Sequence, residues 1–287
     1  MNTPSKWHFP RSELAQAYLK QLEAGLNSIA IFAERRKGKT EFLLDDLTPA
    51  AKDKGLRTVY INFWERKSDP VYCITQGVRR SLETDSPRQL LQWKNEFSVK
   101  LGVFQSKTTV DAHQYPEIAG EALDMLVASK GGVLLMFDEI QHLATDSSYE
   151  ELIATLRTFL DTNKGKVRAV FTGSSQDRLN KIFRRQKAAF YRGASLVEFP
   201  DMGAEFISFL LVNFQDITKR KLTKKHCLTI FEEYNNSPFL IVDLLQTMMR
   251  EGIYNLDEGL TYYLTLNNPD DEWRELWESL KLVDQLV

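Results

Sequence analysis

Five short apolar runs divide the first 200 residues of the chain, and longer segments with apolar residues at helical spacing lie between them. A run that is apolar at successive positions and too short for a helix is typical of a strand covered on both faces. The runs are 28–32, 58–63, 132–137, 167–171 and 195–199. The segments between them are long enough for crossover helices, so the pattern predicts an α/β fold with a doubly wound, parallel, five-stranded sheet.

The predicted helices change in character after residue 200. An amphipathic helix at 12–26 and the segments 40–54, 70–83, 116–128 and 148–163 accompany the strands. Beyond residue 200 we find helical periodicity alone, at 204–213, 223–234, 238–251 and 256–266. We therefore expect three parts: an α/β core at 1–200, a small helical lid at 201–268, and an acidic, then amphipathic, tail at 269–287 that docks on its own chain or on a protein partner.

A segment between the second and third runs, 94–112, alternates apolar and polar residues and predicts an extended strand or hairpin outside the main sheet. Two interpretations stay open for it. It is either a decoration of the sheet edge or a loop that reaches a substrate or partner.

Composition narrows the class of protein. Of the 287 residues, 43% are hydrophobic and 26% are charged, which is ordinary for a globular protein with a full core. Lysine and arginine number 37 against 39 acidic residues, so the overall charge gives no case for nucleic-acid binding, although a local basic patch is compatible with it. No apolar run is long enough for a signal peptide or a membrane span, and we expect a cytoplasmic protein. Cys73 and Cys227 favour buried free thiols over a disulfide.

The strongest chemical signal is A-E-R-R-K-G-K-T at 33–40, between the first strand and a helix. In a phosphate loop, backbone N–H groups converge on phosphate at a helix N-terminus, and a glycine permits close approach. The motif G-x-x-x-x-G-K-[ST] is incomplete because Ala33 replaces its first glycine. Lys39 is expected to reach the β- and γ-phosphates, and the Thr40 hydroxyl to bind Mg²⁺. The residues expected to hold ATP or ADP here are Arg36, Lys37, Gly38, Lys39, Thr40 and Glu41.

Two further strands end in polar residues. The run at 131–143, GGVLLMFDEIQHL, predicts a buried strand that delivers two carboxylates to its C-terminal end, where ligands of parallel sheets bind. Asp138 is the expected Mg²⁺ ligand and Glu139 the group that orients the attacking water. The segment RAVFTGSS at 168–175 offers Thr172, Ser174 or Ser175 to the γ-phosphate or the water. An ordinary turn or helix N-cap is an equal alternative for these hydroxyls.

These motifs, in this order and followed by a helical lid, resemble an AAA+ ATPase, and within that class the archaeal-type and initiator/STAND-like branch, whose relatives include transposition regulators. The resemblance implies that Phe9 and Pro10, in the segment HFPRSE, lie near the adenine. It also implies that Pro238, in Asn236-Ser237-Pro238, packs on the base, with Asn236 where glycine is usual. Phe239 stands where related initiators often have a basic sensor-2 residue, and we expect no winged-helix module after the lid.

The resemblance further implies an arginine supplied by a neighbouring subunit, and hence a homo-oligomeric ring or filament. Arg192 or Arg185 is the expected finger, with a solvated basic helix as the alternative. A basic stretch at 219–225 is either a solvated face or a patch that contacts DNA or RNA.

Three functions remain open at this point. The resemblance implies an ATPase that acts in a DNA transaction, such as transposition target selection or helicase loading. The absence of a sensor-2 arginine favours a signalling or scaffold NTPase that recruits a protein. A small-molecule kinase is weaker, because the sequence offers no acceptor pocket that we can identify.

Overall fold

The computed structural model describes residues 5–85, 114–128, 131–184 and 190–267. One parallel sheet of five strands, in the order β2-β3-β4-β1-β5, forms its centre. The strands are β1 (Ser28–Phe32), β2 (Arg57–Asn62), β3 (Val133–Asp138), β4 (Val167–Gly173) and β5 (Ser195–Glu198). The predicted α/β class with a five-stranded parallel sheet is confirmed, and each strand ends within two residues of the predicted bounds.

Helices accompany the strands along the chain. They are α1 (Ser12–Gln21), α2 (Lys39–Glu41), α3 (Thr48–Asp53), α4 (Pro70–Asp85), α5 (Tyr115–Val127), α6 (Glu150–Thr162) and α7 (Gln176–Phe183). The single helix predicted at 40–54 is interrupted by a π-helical turn, Phe42–Leu47. There the backbone N–H and the hydroxyl of Thr48 both donate to the carbonyl of Leu43, five residues earlier, which widens the turn.

The sheet is covered on both faces, as its continuous apolar runs predict. On β3, Leu134 and Met136 join an apolar cluster on one face, whereas Leu135 and Phe137 join the cluster on the other. All six residues of β3 are buried. Strand β5 differs, because its residues alternate between half-buried and exposed, as expected at the sheet edge.

Four helices follow the sheet: α8 (Ala204–Thr218), α9 (Lys224–Glu233), α10 (Pro238–Glu251) and α11 (Leu256–Leu266). Their interior is apolar, and its largest side chains are Phe206, Phe214 and Phe231. Helix α8 extends beyond the predicted end at residue 213, because the next turn buries Phe214 and Thr218 donates its hydroxyl to the Phe214 carbonyl. Helices α10 and α11 have the predicted bounds.

The chain divides into two compact units. The α/β unit is Pro10–Pro200, and the helical unit joins the described part of Met1–Phe9 to the described part of Asp201–Val287. Residues 5–9 thus group with the helices, whereas the sequence assigned them to the core at 1–200. The reason is aromatic packing: the Phe9 ring meets those of Phe206 and Phe209 edge to face at 5.7 and 5.5 Å between centroids. Asn213 also donates its side-chain amide to the Lys6 carbonyl at 2.7 Å.

Some sequence predictions fall on other parts of the chain. The segment 94–112, the tail at 269–287 and Arg185 lie outside the described residues. Within the described residues, no helix combines the length and the apolar character needed to cross a membrane. Cys73 and Cys227 are both buried free thiols.

Candidate nucleotide site

The phosphate-loop motif leaves β1 and turns directly into α2. Arg36 and Gly38 have positive φ angles, 65° and 84°, so two residues of the loop have left-handed φ values before the helix begins. Glycine adopts this conformation freely, whereas an arginine there costs about 1–2 kcal/mol. Ala33, at the position of the first glycine, has no positive φ. Its methyl group therefore introduces no backbone strain, and the departure from the motif does not distort the loop.

Lys39 lies beneath this loop and is only 5% exposed. Its ammonium donates to the carbonyl oxygens of Ala33 and Glu34 at 2.6 and 2.8 Å. Burial lowers the pKa of Lys39, and the nearby carboxylates of Glu139 and Asp138 partly oppose this shift. The ammonium thus already has two oxygen acceptors, and anionic phosphate oxygens are stronger acceptors of the same kind.

Three hydroxyl groups converge on the carboxylate of Asp138, which is 1% exposed. Thr40 and Tyr60 donate to Oδ2 at 2.6 and 2.7 Å, and Thr172 donates to Oδ1. Hydroxyl and carboxylate oxygens are the ligands that Mg²⁺ prefers, and Thr40 and Asp138 come from the two predicted metal-binding motifs. The donor set at this position therefore fits a magnesium ion.

Tyr60 is a member of this cluster that the sequence did not identify. It lies on β2, beside β3, and its hydroxyl is directed at the carboxylate at the end of that neighbouring strand. Burial, followed by the charge of Asp138, raises the pKa of the phenol, so the hydroxyl stays protonated and remains a donor. The available signal was the phenol hydroxyl in the middle of the strand sequence TVYINF.

Glu139 follows Asp138 in a left-handed conformation, with φ 56°. Its backbone N–H donates to the Thr172 hydroxyl at 3.4 Å. Its carboxylate oxygen Oε2 accepts from Ser174 Oγ at 2.9 Å and from the side-chain amide of Gln141. Gln141 is the second residue of the site that the sequence analysis missed. The structure thus brings together the ends of β3 and β4 and the phosphate loop.

Comparison with known proteins identifies the fold. No family model matches the sequence, and no curated protein matches it. Among solved structures, it is similar to the Walker-type ATPase PABY2304 of Pyrococcus abyssi, with TM-score 0.62, 15% identity, and coverage of 95% of this chain and 79% of that one. The Aeropyrum pernix ORC1 protein, solved in complex with DNA, gives TM-score 0.61 at 15% identity, covering 98% and 75%. These likenesses show that the chain shares the fold of these solved structures.

A third similar structure is the ADP form of the Aeropyrum pernix ORC2 protein, with TM-score 0.58, 16% identity, and coverage of 88% of this chain and 66% of that one. In the sheet of this chain, the C-terminal ends of β1, β3 and β4 carry the phosphate loop, Asp138 with Glu139, and Thr172 with Ser174 respectively. These are neighbouring strands, which explains why the three motifs meet despite their separation in sequence.

Three further predicted residues are divided between the two units. Phe9 belongs to the helical unit, and Pro10 begins the α/β unit. Pro238 is the first residue of α10, after Ser237, whose hydroxyl accepts from the Leu240 N–H at 3.3 Å. Asn236 has a φ of 46°, a conformation that asparagine tolerates better than most residues, which explains how it replaces glycine.

Of the two arginines expected as the finger, Arg192 lies among the described residues. It is exposed and has a positive φ, 54°. Its backbone N–H donates to the Phe183 carbonyl at 3.2 Å, which fixes the chain just before β5. Its guanidinium lies 5.3 Å from the centre of the Tyr191 ring. The side chain is thus on the surface of the α/β unit, the location that a group acting on a neighbouring subunit requires.

Proposed function

We propose that the protein is an AAA+ ATPase that binds ATP with Mg²⁺ and hydrolyses it to ADP and phosphate. The observation that carries this proposal is the 2.6 Å contact between Thr40 of the phosphate loop and Asp138, with Glu139 next to it. In the proposed roles, the loop from Arg36 to Glu41 cradles the phosphates and Lys39 neutralises their charge. Bound Mg²⁺, held by Thr40 and Asp138, would supply further positive charge to the β- and γ-phosphates.

Glu139 is the proposed residue that acts on water. The water oxygen forms a bond with the γ-phosphorus, the bond to the bridging oxygen breaks, and that oxygen leaves with ADP. The water proton passes to the Glu139 carboxylate and then to solvent. Thr172 donates to the Asp138 carboxylate and accepts from the Glu139 N–H, so it helps to fix the positions of both acidic residues.

Exchanging Glu139 for glutamine tests this role. We expect Glu139→Gln to bind ATP as tightly as the wild type, because the shape of the site is kept, and to lower kcat by about 10²- to 10⁴-fold, the range typical of general bases. Glu150→Gln, at an exposed position on α6, is the matched control and should keep full turnover. Undiminished turnover in Glu139→Gln would remove Glu139 from the mechanism.

We propose that the nucleotide cycle changes subunit contacts in a homo-oligomer, with Arg192 as the finger that enters a neighbouring site. Its exposure supports this role, and Arg185 is the second candidate. Arg192→Ala should retain ATP binding and lose turnover that rises with protein concentration. Turnover per subunit that is independent of concentration in the wild type would contradict a trans-acting arginine.

A DNA transaction is the proposed setting, with transposition target selection and helicase loading as candidates. It is supported by the similarity in fold to ORC1, solved in complex with DNA, and by the exposed cations of the basic stretch 219–225. Charge reversal of Lys219, Arg220 and Lys221 should abolish DNA binding, whereas reversal of Lys20, Lys52 and Lys181 should not. Binding should also weaken steeply with salt.

A nucleotide-gated scaffold that recruits a protein is the alternative. Phe239, 48% exposed at the position after Pro238, supports it because a basic sensor-2 residue is missing there. Light scattering with ADP, with a non-hydrolysable ATP analogue, and with the analogue plus duplex DNA separates the two functions. Assembly that requires DNA supports the DNA transaction, and assembly or a monomer that is indifferent to DNA supports the scaffold.

A further inference from the structure

The Glu139 carboxylate forms a closed ring of hydrogen bonds with two other side chains, those of Gln141 and Ser174. Gln141 donates one amide hydrogen to Glu139 Oε2 and the other to Ser174 Oγ, at 3.1 Å for the latter. Ser174 in turn donates its hydroxyl hydrogen to the same Oε2 at 2.9 Å. Both hydrogens of the amide and the single hydrogen of the hydroxyl are therefore used, and two donors converge on one carboxylate oxygen.

The position of Gln141 is fixed by its surroundings. It is 2% exposed and lies in the 3₁₀ turn Ile140–Ala144 that follows Glu139. At the end of β4, a Cβ atom on Gly173 would lie 2.6 Å from Gln141 Oε1 and 2.8 Å from Leu179 Cδ2. Only a residue without a side chain leaves space for the glutamine there. The amide is consequently packed in one place and cannot follow a moving carboxylate.

The other amide atom argues against a purely structural role. Gln141 Oε1 is buried, and it has no hydrogen-bond partner among the described residues. An unpaired buried acceptor costs free energy, about 1–3 kcal/mol. A residue selected only for packing at this point would be better apolar, so the amide is retained at a cost to the folded state.

We propose that Gln141 and Ser174 are positioning residues for Glu139: together they hold Oε2, so that the second oxygen, Oε1, is presented in one orientation to the attacking water. This inference rests on the proposed ATPase function and deepens it. A carboxylate that rotates freely presents its basic oxygen only part of the time, whereas one held by two donors is preorganised. Neither residue touches the phosphates in this role.

The test compares Gln141→Leu and Ser174→Ala with the wild type. Each removes a donor to Oε2, and we expect kcat to fall about 10- to 100-fold, the usual effect of losing a supporting hydrogen bond, with KM for ATP and the affinity for a fluorescent ATP analogue unchanged. Retention of ADP–aluminium fluoride, which mimics the transition state, should fall in parallel. Ser174→Thr keeps the hydroxyl and should restore both quantities.

Controls separate positioning from folding. Gln141→Leu removes the unpaired Oε1 together with two hydrogen bonds, and because these changes oppose each other its melting temperature should stay close to that of the wild type despite its lower kcat. Gln76→Leu and Ser208→Ala make the same exchanges elsewhere in the chain and should leave kcat unchanged. If Gln141→Leu fails to fold, the Ser174→Ala and Ser174→Thr pair still decides the question.

The outcomes are distinct. A wild-type protein that binds ATP without turning it over overturns the proposed function, and this inference with it. Normal wild-type turnover, with kcat and ADP–aluminium fluoride retention unchanged in Gln141→Leu and Ser174→Ala, overturns the positioning role alone. A rise in kcat in either variant also overturns it, because the two residues would then restrain Glu139.

Discussion

The α/β unit and the helical unit bury different kinds of side chain. At the end of the sheet, Lys39, Asp138, Gln141 and Thr172 are each at most 5% exposed. Among the described residues of the helices after residue 201, the buried polar side chain is Thr247, and the rest of the interior is apolar. Burying polar groups costs free energy unless they are paired. The α/β unit buries several polar groups where its proposed chemistry lies, whereas the described helices after residue 201 bury almost only apolar side chains.

The reactivity of the two cysteines compares the units, and among the predictions that compare them its expected effect is the largest. Burial raises the pKa of Cys73, on α4, to about 11 and that of Cys227, on α9, to about 12, from an ordinary value of 9.0. Since the thiolate is the nucleophile, alkylation at pH 8 should be slower than for a free thiol by about 100-fold and 1000-fold respectively. Mass spectrometry of alkylated peptides measures both rates.

The same protein in denaturant, where both thiols should react alike, is the control. A native Cys227 that reacts at the rate of a free thiol would mean that the helical unit opens readily. The account of a helical interior at least as closed as that of the α/β unit would then fail.

Removing a buried ring tests the packing role of the helical unit. Phe231 is 1% exposed, and Phe231→Ala should lower the unfolding free energy of the protein by about 3–5 kcal/mol. The loss is this large because the cavity left behind adds to the lost transfer free energy. Phe239→Ala, at a 48% exposed position on α10, should change it by no more than about 0.5 kcal/mol. Chemical denaturation measures both, and equal losses would contradict this account of the interior.

Tyr60→Phe tests the polar network of the α/β unit with a smaller change. The ring stays and one donor to Asp138 is lost, so the carboxylate is less firmly oriented. We expect the Mg²⁺ concentration needed for half-maximal ATP binding to rise about 10-fold. Because the pKa of Tyr60 is raised, its hydroxyl is a donor at every pH below its titration, and the effect should be constant between about pH 6 and pH 9.

The matched control is Tyr254→Phe, at an exposed position of the helical unit, which should leave the Mg²⁺ dependence unchanged. An unchanged dependence in Tyr60→Phe as well would show that the phenol is dispensable for the carboxylate.

The sequence could predict those parts of the site that follow from local spacing. Thr40 and Asp138 stand at fixed places relative to a strand and a turn, and both are recognisable without the sheet order. Tyr60 and Gln141 act through contacts between different strands and turns. The role of Tyr60 depends on β2 lying next to β3, and that of Gln141 on the glycine at the end of β4. Neither relation is encoded in a short window.

The same distinction applies to the fold. Apolar runs determine the strands, since a strand buried on both faces needs apolar residues throughout. Helix ends were less predictable: α8 extends to Thr218 because Phe214 fits into the interior, a tertiary effect. The grouping of Phe9 with the helices likewise depends on partners some 200 residues away, Phe206 and Phe209.

The smallest predicted effect compares one cation–π pair in each unit. The guanidinium of Arg35, in the phosphate loop, lies 4.9 Å from the centre of the Trp64 ring, and that of Arg220 lies 5.4 Å from the centre of the Tyr254 ring. Both rings are partly exposed, at 44% and 41%. Double-mutant cycles should give a coupling energy of about 0.5–1 kcal/mol for the first pair and a smaller one for the second. The tryptophan ring has the stronger quadrupole, and its guanidinium lies closer to the ring centre.

The cycles combine Arg35→Ala with Trp64→Leu, and Arg220→Ala with Tyr254→Leu, with unfolding free energies from chemical denaturation. The Lys67 ammonium lies 3.4 Å from the centre of the Trp64 ring and stays in Arg35→Ala, so the loss of Arg35 alone should be small. A coupling energy in the helical unit equal to that beside the phosphate loop would contradict the ranking. A coupling energy for Arg35 and Trp64 that is larger than that for Arg220 and Tyr254, as expected, would mean that the Trp64 ring helps to fix the loop conformation before nucleotide binds.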